Sequence, residues 1–464
     1  MAYTTINNGK LYFNTKLYTG NGSSTQAITG VGFQPDWVWI KNRTDAHWHN
    51  LTTAVNGPAK TLRSNTTTAE VDNSSSGYVS VFGADGFTVA EGSSDAEEVN
   101  TNSDNYVSWN WLGAGTTPSK TYAVTVVSDS GNKYRFDGFG TSAVTLELSE
   151  GGTYTFDQSD ASNDGHPLRF ATAADAAGST EYTTGVTTNG TPGNAGAYTR
   201  ITVAASAPTL YYYCSSHSGM GGQANTPTTN SFSNFSGTIQ TNISPNTAAG
   251  FSAISFTGNG SAGATVGHGL SSVPKFIVVK TRSTTANWIT YNVYNGNTNY
   301  MYFNTNGATA ATVQAWNNTS PTSSVFSLGN SSEVNGNGVT MVGYCFSEVK
   351  GYSKISHFIG NGNTDGTFVY CGFKPAWVMV KRTNGSNSWV IYDNKREGYN
   401  VDNDGLQING GDAESTSDDI DLLSSGFKMR TSGVGENGDG NPYLYMAFAD
   451  NPFTSSTGTP VTAR

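Results

Sequence analysis

Four residues near the middle of the chain have the types and the spacing of a metal site. Cys214, His217 and Met220 form a Cys-x2-His-x2-Met pattern on a single predicted loop, and His166 lies well upstream. A thiolate and a thioether are soft ligands that suit Cu(I), and imidazoles also accept Cu(II). Two histidines, one cysteine and a weak methionine ligand are typical of copper. These four residues are therefore the candidate metal ligands, and copper is the candidate cofactor.

The same loop also has an interpretation without a metal. A buried cysteine often serves only as a small apolar side chain, and the loop would then be held by hydrogen bonds alone. The unit would be a structural or binding module. The four remaining histidines show no comparable order; they are His47, His49, His268 and His357. We interpret His47 and His49 as polar surface residues.

The candidate ligands lie among short segments that predict an independent β-domain. Apolar residues alternate with polar ones in segments 122–126 and 144–148, and an aromatic segment, 210–214, ends at Cys214. Alternation with a period of two indicates strands. A loop between the last two strands can present three ligands to one point, and a neighbouring strand can present His166. This domain is predicted to span residues 116–226.

A repeated pattern organises the rest of the chain. An aromatic-x-Gly-Asn-Gly string occurs three times and predicts tight hairpin turns, at residues 18–22, 256–260 and 358–362. Each copy is followed by a proline and an apolar run ending in lysine, at residues 35–41, 274–280 and 375–381. Such short apolar runs are expected for strands buried on both faces.

Each copy continues with a tryptophan and ends on an aromatic strand. Trp48, Trp288 and Trp389 follow the lysine by seven or eight residues, and we predict that all three are core residues. The closing strands alternate in aromatic residues, as in a strand with one packed face. No set of polar residues shared by all three copies is recognised. Cys345 and Cys371, in or beside predicted strands, are expected to be buried free thiols.

Composition excludes several classes of protein. Charged residues make up only 12% of the 464 residues, aromatic residues reach 12%, and glycine numbers 55. This excludes a coiled coil and argues against disorder. The net charge of -10 argues against nucleic acid as a partner, and three cysteines cannot form a disulfide framework. No signal peptide or membrane insertion is predicted.

The predicted fold is all-β and multi-domain, with three repeated β-sandwich-like units and one inserted Greek-key β-sandwich. The predicted divisions are an N-terminal docking segment 1–17, repeat 1 at 18–115, the insertion at 116–226, a linker at 227–255, repeat 2 at 256–350, and repeat 3 with a C-terminal tail at 351–464. The insertion is expected to project from the first junction. No Ser/His/Asp set or nucleophile elbow is recognised, and no catalytic residue is predicted.

The repeat resembles an uncharacterised family of virion-associated proteins of marine tailed bacteriophages. The likeness rests on residues 1–22, 32–43, 263–270 and 372–382. It implies a non-enzymatic structural protein on the particle surface, assembled in the bacterial host cytoplasm. Its partners would be other virion proteins and a host surface glycan or receptor. A homotrimer is a further expectation from fibre-like proteins in general.

The inserted domain resembles the cupredoxin family of small blue-copper β-sandwiches. The likeness covers about residues 119–225, and it implies that His166, Cys214 and His217 are equatorial ligands and Met220 the axial one. The leading hypothesis is therefore a tail-fibre-like or receptor-binding virion protein that mediates host attachment. The alternatives are a capsid decoration protein or head fibre, a copper-binding redox protein, and a glycan depolymerase.

Overall fold

The computed structural model describes residues 6–115, 117–176, 178–396, 404–416 and 420–450. Almost all regular structure in these residues is strand, which confirms the predicted all-β, multi-sheet fold. The helices described are short: α1 (Val313–Trp316), α2 (Ser332–Asn335) and three 3-10 turns, Gly9–Leu11, Ala161–Asn163 and Ala174–Ala176. No helix in the described ranges has the length and apolar character needed to cross a membrane.

The first repeat is built from two facing sheets and a small strand pair. Its strands are β1 (Phe13–Thr19), β2 (Thr25–Thr29), β3 (Trp37–Asn42), β4 (Asn50–Thr53), β5 (Lys60–Thr61), β6 (Val71–Asp72), β7 (Tyr78–Gly83), β8 (Gly86–Ala90) and β9 (Asn105–Trp111). The sheets have the orders β1-β9-β3-β4 and β2-β8-β7, and β5 pairs with β6.

The inserted unit also has two sheets. Its strands are β10 (Ser119–Ser128), β11 (Asn132–Phe136), β12 (Leu146–Glu147), β13 (Thr153–Asp157), β14 (Leu168–Ala171), β15 (Val186–Asn189), β16 (Tyr198–Thr202), β17 (Leu210–Cys214) and β18 (Gly222–Asn225). The strand orders are β11-β10-β13-β16-β15 and β12-β18-β17-β14.

The second and third repeats follow the insertion. The second contains β19 (Phe232–Asn234), β20 (Thr241–Asn246), β21 (Phe251–Thr257), β22 (Thr265–Gly267), β23 (Phe276–Thr281), β24 (Ile289–Asn292), β25 (Asn299–Tyr302), β26 (Ala310–Ala311), β27 (Val325–Ser327) and β28 (Thr340–Phe346). The third contains β29 (Ser353–Ile359), β30 (Phe368–Tyr370), β31 (Pro375–Arg382), β32 (Val390–Asp393), β33 (Leu406–Gln407), β34 (Ile420–Leu423), β35 (Gly426–Met429) and β36 (Pro442–Ala449).

The main sheets of the three repeats share one strand order. The opening strand pairs with the closing strand, which pairs with the proline-led strand: β1-β9-β3-β4, β21-β28-β23-β24 and β29-β36-β31-β32. The proline-led strands are buried on both faces, as predicted. The closing strands are also buried on both faces, so the prediction of one packed face is wrong. Their second face packs against the other repeats.

The three repeats close into a ring within one chain. Aromatic rings of different repeats meet in one shared core, where Trp37 stacks on Tyr344 with ring centroids 4.2 Å apart. Three equivalent main-chain hydrogen bonds join successive repeats: Glu70 N to Arg282 O at 2.8 Å, Thr309 N to Thr383 O at 2.9 Å, and Glu414 N to Arg43 O at 3.1 Å. The contacts run from the first repeat to the second, the second to the third and the third to the first.

A buried lysine lies at each of these junctions. Lys41, Lys280 and Lys381 are the lysines that end the apolar runs, and all three are fully buried. The Nζ of Lys280 donates to Thr67 O at 3.3 Å, and that of Lys381 to Asn306 O at 3.2 Å. Burial lowers the pKa of each lysine to about 8. The copies therefore do share a polar set, contrary to the sequence-based expectation.

The Gly-Asn-Gly strings are not hairpin turns, because they carry the chain from the main sheet to the facing sheet. The middle residue of each string donates its main-chain N–H to another asparagine: Asn21 to Asn100, Asn259 to Asn335 and Asn361 to Asn437, at 3.0, 2.9 and 3.1 Å. A Cβ at the first glycine, Gly20, would lie 2.1 Å from the carbonyl oxygen of Thr101. Close backbone approach therefore requires glycine at this position.

Two predicted divisions need correction. The N-terminal segment 1–17 contains the start of β1, and Ile6 and Phe13 are buried in the shared core; residues 1–5 lie outside the described ranges. The predicted linker 227–255 contains β19, β20 and part of β21, all in the sheet of the second repeat. Its apolar residues are too widely spaced among Ser, Thr and Asn to show a strand pattern.

The insertion does not project freely from the first junction. It shares a core with the second repeat, in which Tyr122 packs against Phe235 with ring centroids 5.8 Å apart. The hydroxyl of Tyr122 also donates to Ser233 O at 2.8 Å. The insertion is therefore anchored through β19 and the residues that follow it.

Candidate metal centre

Three of the four predicted ligands come together at one end of the inserted unit. The Sγ of Cys214 lies 3.8 Å from Nδ1 of His166 and 3.7 Å from Nδ1 of His217. The two imidazole centroids are 4.6 Å apart. The ligand atoms of these residues all lie within 4.8 Å of one another. One sulfur and two nitrogens thus face a common point.

Strand pairing places His166 beside Cys214. Strands β14 and β17 are antiparallel, with Leu168 opposite Cys214 at the end of the ladder. His166 precedes Leu168 by two residues, so it lies just beyond the strand end where the thiol is located. The Ser215 N–H donates to Pro167 O at 3.1 Å and continues the pairing past the last ladder residue.

Strand β11 is hydrogen-bonded to both segments that carry the candidate ligands. The hydroxyl of Tyr134 donates to His166 O at 2.9 Å, and its main-chain N–H donates to Met220 O at 3.0 Å. The neighbouring Lys133 donates through Nζ to Gly219 O. The side chain of Asp175 accepts the Gly219 N–H at 2.7 Å. The ligand loop is therefore fixed by contacts that do not use the ligand atoms.

Burial differs among the four residues. Cys214 and Met220 are buried, His166 is partly buried and His217 is exposed. Burial and the adjacent His217 imidazole lower the pKa of His166, and the Asp164 carboxylate opposes this shift. The neutral imidazole is the form that binds a metal, so the lowered pKa favours a ligating state.

The three donors fit a metal ion in type and separation. Ligand bonds of about 2.0 and 2.3 Å that meet at about 120° place sulfur and nitrogen about 3.7 Å apart. Both sulfur–nitrogen separations match this distance. Met220 lies buried at the end of the same loop, and its thioether is the fourth predicted donor. His166, Cys214 and His217 would hold the ion, and copper would supply one-electron redox chemistry when bound.

The structure exchanges the predicted roles of Trp48 and His49. Trp48 is 45% exposed, whereas His49 is fully buried, so both predictions are wrong. In the first repeat, the residue that corresponds to Trp288 and Trp389 is identified by a hydrogen bond that all three repeats share. In each, a main-chain N–H donates to an asparagine side chain. His49 N donates to Asn65 Oδ1, Trp288 N to Asn304 Oδ1, and Trp389 N to Asn409 Oδ1. His49 therefore occupies the core position of the repeat, and Trp48 precedes it.

Two further residues agree with the sequence-based interpretation. Cys345 and Cys371 are buried and free, as predicted. Burial raises the pKa of both thiols, that of Cys371 to about 12. A protonated thiol in an apolar site is a poor nucleophile.

Sequence reasoning missed the asparagines that bind the Gly-Asn-Gly strings. Asn100, Asn335 and Asn437 each lie six residues before the first apolar residue of the closing strand. That constant spacing was a usable signal. It was hidden because the surrounding residues differ among the three copies.

The comparison with known families covers the repeats but not the candidate metal ligands. A family described as a domain of unknown function, DUF7483, matches residues 8–153 and 224–452. The unmatched interval contains all four predicted ligands and is shorter than the inserted unit, since it begins within β13. No curated protein and no solved structure matches the chain. Because the two matched segments cover most of its length, the chain belongs to the DUF7483 family.

Proposed function

We propose that this chain is a non-enzymatic structural protein on the surface of a bacteriophage particle, tail-fibre-like or receptor-binding. The observation that carries the proposal is the ring of three repeats closed within one chain. Its stacked aromatic residues form one close-packed core that joins the three repeats. The resemblance of the repeats to marine phage virion proteins supplies the particle context.

Particle location tests this proposal. Purified phage particles should contain the chain by mass spectrometry, and gold-labelled antibodies should mark the tail in electron micrographs. Labelling on the capsid lattice would favour the alternative of a capsid decoration protein or head fibre. Absence of the chain from purified particles would reject a virion role altogether.

A second candidate function is copper binding by the inserted unit. It is supported by the thiol and two imidazole nitrogens that face one point in the structure. This function is compatible with a virion role, because the site lies in a part of the chain that the family match omits. Metal analysis of intact particles tests it: copper in proportion to the chain is expected, and its absence would reject the copper function.

A further inference from the structure

Trp48 differs from the other tryptophans of the chain in its exposure to solvent. Eight of the nine tryptophans are at most 3% exposed, whereas Trp48 is 45% exposed. The guanidinium of Arg63 lies 4.2 Å from the centroid of its ring. Arg63 is itself held by Glu98, through Nε to Oε1 at 3.0 Å, and by Ser74 Oγ at 3.0 Å. The indole therefore rests on a fixed, buried support while much of its surface faces solvent.

Trp48 borders a cavity between the first and third repeats. The cavity has a volume of about 450 Å³, and Asn65, Ser76, Glu97 and Gly411 also contribute to its lining. The amide, hydroxyl and carboxylate groups provide both hydrogen-bond donors and acceptors. Glu97 contacts His47 Nδ1 at 3.3 Å, and its side chain is half exposed. An aromatic wall with a few polar groups is typical of a small-molecule site.

The other two repeats lack this arrangement. Asn287 and Ser388 occupy the position of Trp48, directly before the buried tryptophan. In those repeats the asparagine that corresponds to Asn65 is hydrogen-bonded to the residue at the Trp48 position. Asn304 Nδ2 donates to Asn287 Oδ1 at 3.0 Å, and Asn409 Nδ2 donates to Ser388 Oγ at 3.2 Å. The Trp48 side chain has no acceptor to offer Asn65. The tryptophan at this position therefore opens an aromatic, hydrogen-bonding site in the first repeat.

We propose that this cavity binds a neutral pyranose sugar, with its apolar face stacked on Trp48. The sugar hydroxyls would bond to the side chains of Asn65, Ser76 and Glu97. The Glu97 carboxylate disfavours sugars that carry carboxylate or sulfate groups. Arg63 does not offset this charge, because it is already paired with Glu98. The inference deepens the proposed function and rests on it, since it gives the surface protein a glycan as its host ligand.

Calorimetric titration of the full chain tests the site. The probes are methyl α-glucopyranoside, methyl α-mannopyranoside and methyl β-galactopyranoside, with N-acetylneuraminic acid and choline as charged probes. We expect millimolar binding of at least one neutral sugar and a loss of about tenfold or more in affinity for Trp48→Asn. This variant installs the residue of the second repeat, so its melting temperature should stay near that of the native chain.

Tyr370→Ala is the matched control, since Tyr370 is 64% exposed on the third repeat and lies outside this cavity. It should bind the same sugar with native affinity. Equal affinity of Trp48→Asn and the native chain, no neutral-sugar binding, or preference for a charged probe would overturn the sugar site. Presence of the chain in particles without sugar binding would reject only this inference. Sugar binding by a chain absent from particles would reject only the virion role.

Discussion

The imidazole of His49 joins two repeats by donating its Nε2–H to the main-chain oxygen of Gln407 at 3.0 Å. Its Nδ1 accepts the indole N–H of Trp39 at 2.8 Å, so the two bonds define one neutral tautomer. Trp288 and Trp389 make the equivalent inter-repeat bond with their indole N–H groups, to Arg63 O and Tyr302 O. The ring is thus closed by three related bonds, one of them from an imidazole.

The imidazole of His49 is smaller than the indole of Trp288, and the side chain beside it, Trp39, is correspondingly larger than its counterpart in the second repeat. Strand β3 carries Trp39 where the corresponding position of β23 carries Val278. The first repeat therefore pairs a tryptophan with a histidine, and the second pairs a valine with Trp288. Close packing of the shared core requires this compensation in volume.

Removal of the imidazole should destabilise the ring. His49→Ala leaves the buried Trp39 N–H without a partner and removes one of the two donors to the Gln407 carbonyl, which keeps the Gly410 N–H at 3.2 Å. We expect a loss of about 2–4 kcal/mol in the free energy of unfolding. Denaturant unfolding measures this loss. The double variant Trp39→Val/His49→Trp reproduces the pair of the second repeat and should regain much of it. A change below about 0.5 kcal/mol for His49→Ala would contradict the proposed role.

Acid should weaken the same junction. Burial, with Lys41 nearby, lowers the pKa of His49 to about 3. An unfolded histidine has a pKa of about 6.5, so the unfolded chain binds an extra proton between these values. Stability should therefore fall as the pH drops from about 6.5 towards 3. Melting temperatures across this range should fall less steeply for Trp39→Val/His49→Trp, and equal slopes would contradict this assignment.

Asp36 should have the opposite pH dependence. It is fully buried, and its carboxylate accepts the Gly113 N–H at 2.7 Å and the Ser244 hydroxyl at 3.0 Å. Burial raises its pKa to about 7 despite these bonds. The folded chain thus holds a proton that the unfolded chain releases near pH 4, and Asp36 costs stability as the pH rises to about 7.

Replacement of this carboxylate by an amide isolates its contribution. Asp36→Asn keeps an acceptor for Gly113 and removes the buried charge. We expect the variant to be about 1–3 kcal/mol more stable than the native chain above pH 7 and nearly equal below pH 4. Unfolding at both pH values measures the difference. Lower stability of the variant at pH 8 would show that the ionised carboxylate is favourable.

Copper addition tests the inserted site directly. The purified chain should bind one Cu(II) and develop strong visible absorption from a thiolate-to-copper transition. Cys214→Ala should abolish this absorption, and Met220→Leu should shift it while retaining the metal. Cys345→Ala is the matched control, because Cys345 is a buried free thiol in the second repeat. Native-like absorption in Cys214→Ala would exclude the thiolate as a ligand.

The proline-led strands were predictable because local composition specifies them. A short apolar run follows a proline in segments 35–41, 274–280 and 375–381, and such a run is expected for a strand buried on both faces. The structure shows this burial. The polar strands of 227–255 were not predictable. Phe232 of β19 packs against Tyr154 of the insertion, whereas Phe251 of β21 lies in the core shared by the three repeats. Contacts of this kind leave no periodic apolar pattern.

The proximity of Cys214 and His217 was predictable from spacing, because a short loop limits the separation of two ligands. His166 lies 48 residues before Cys214, and its place beside them was implied by the cupredoxin resemblance. The Trp48 cavity was not predictable. Trp288, Trp389 and His49 each lie eight residues after the lysine and Trp48 lies seven after it, but the shared residue type favoured Trp48 as the core position. The inter-repeat bond to Gln407 distinguishes them, and that residue is remote in sequence.

The amino-acid sequence alone determined the all-β class and the three copies of one unit, and it indicated the candidate ligands of the inserted domain. These properties follow from local spacing, which sets strand periodicity and the reach of a loop. Only the tertiary structure decided that the copies close into a ring, that lysines are buried at its junctions and that Trp48 faces a cavity. These features depend on contacts between distant segments, whose free energy is set by the volume and polarity that each neighbour supplies.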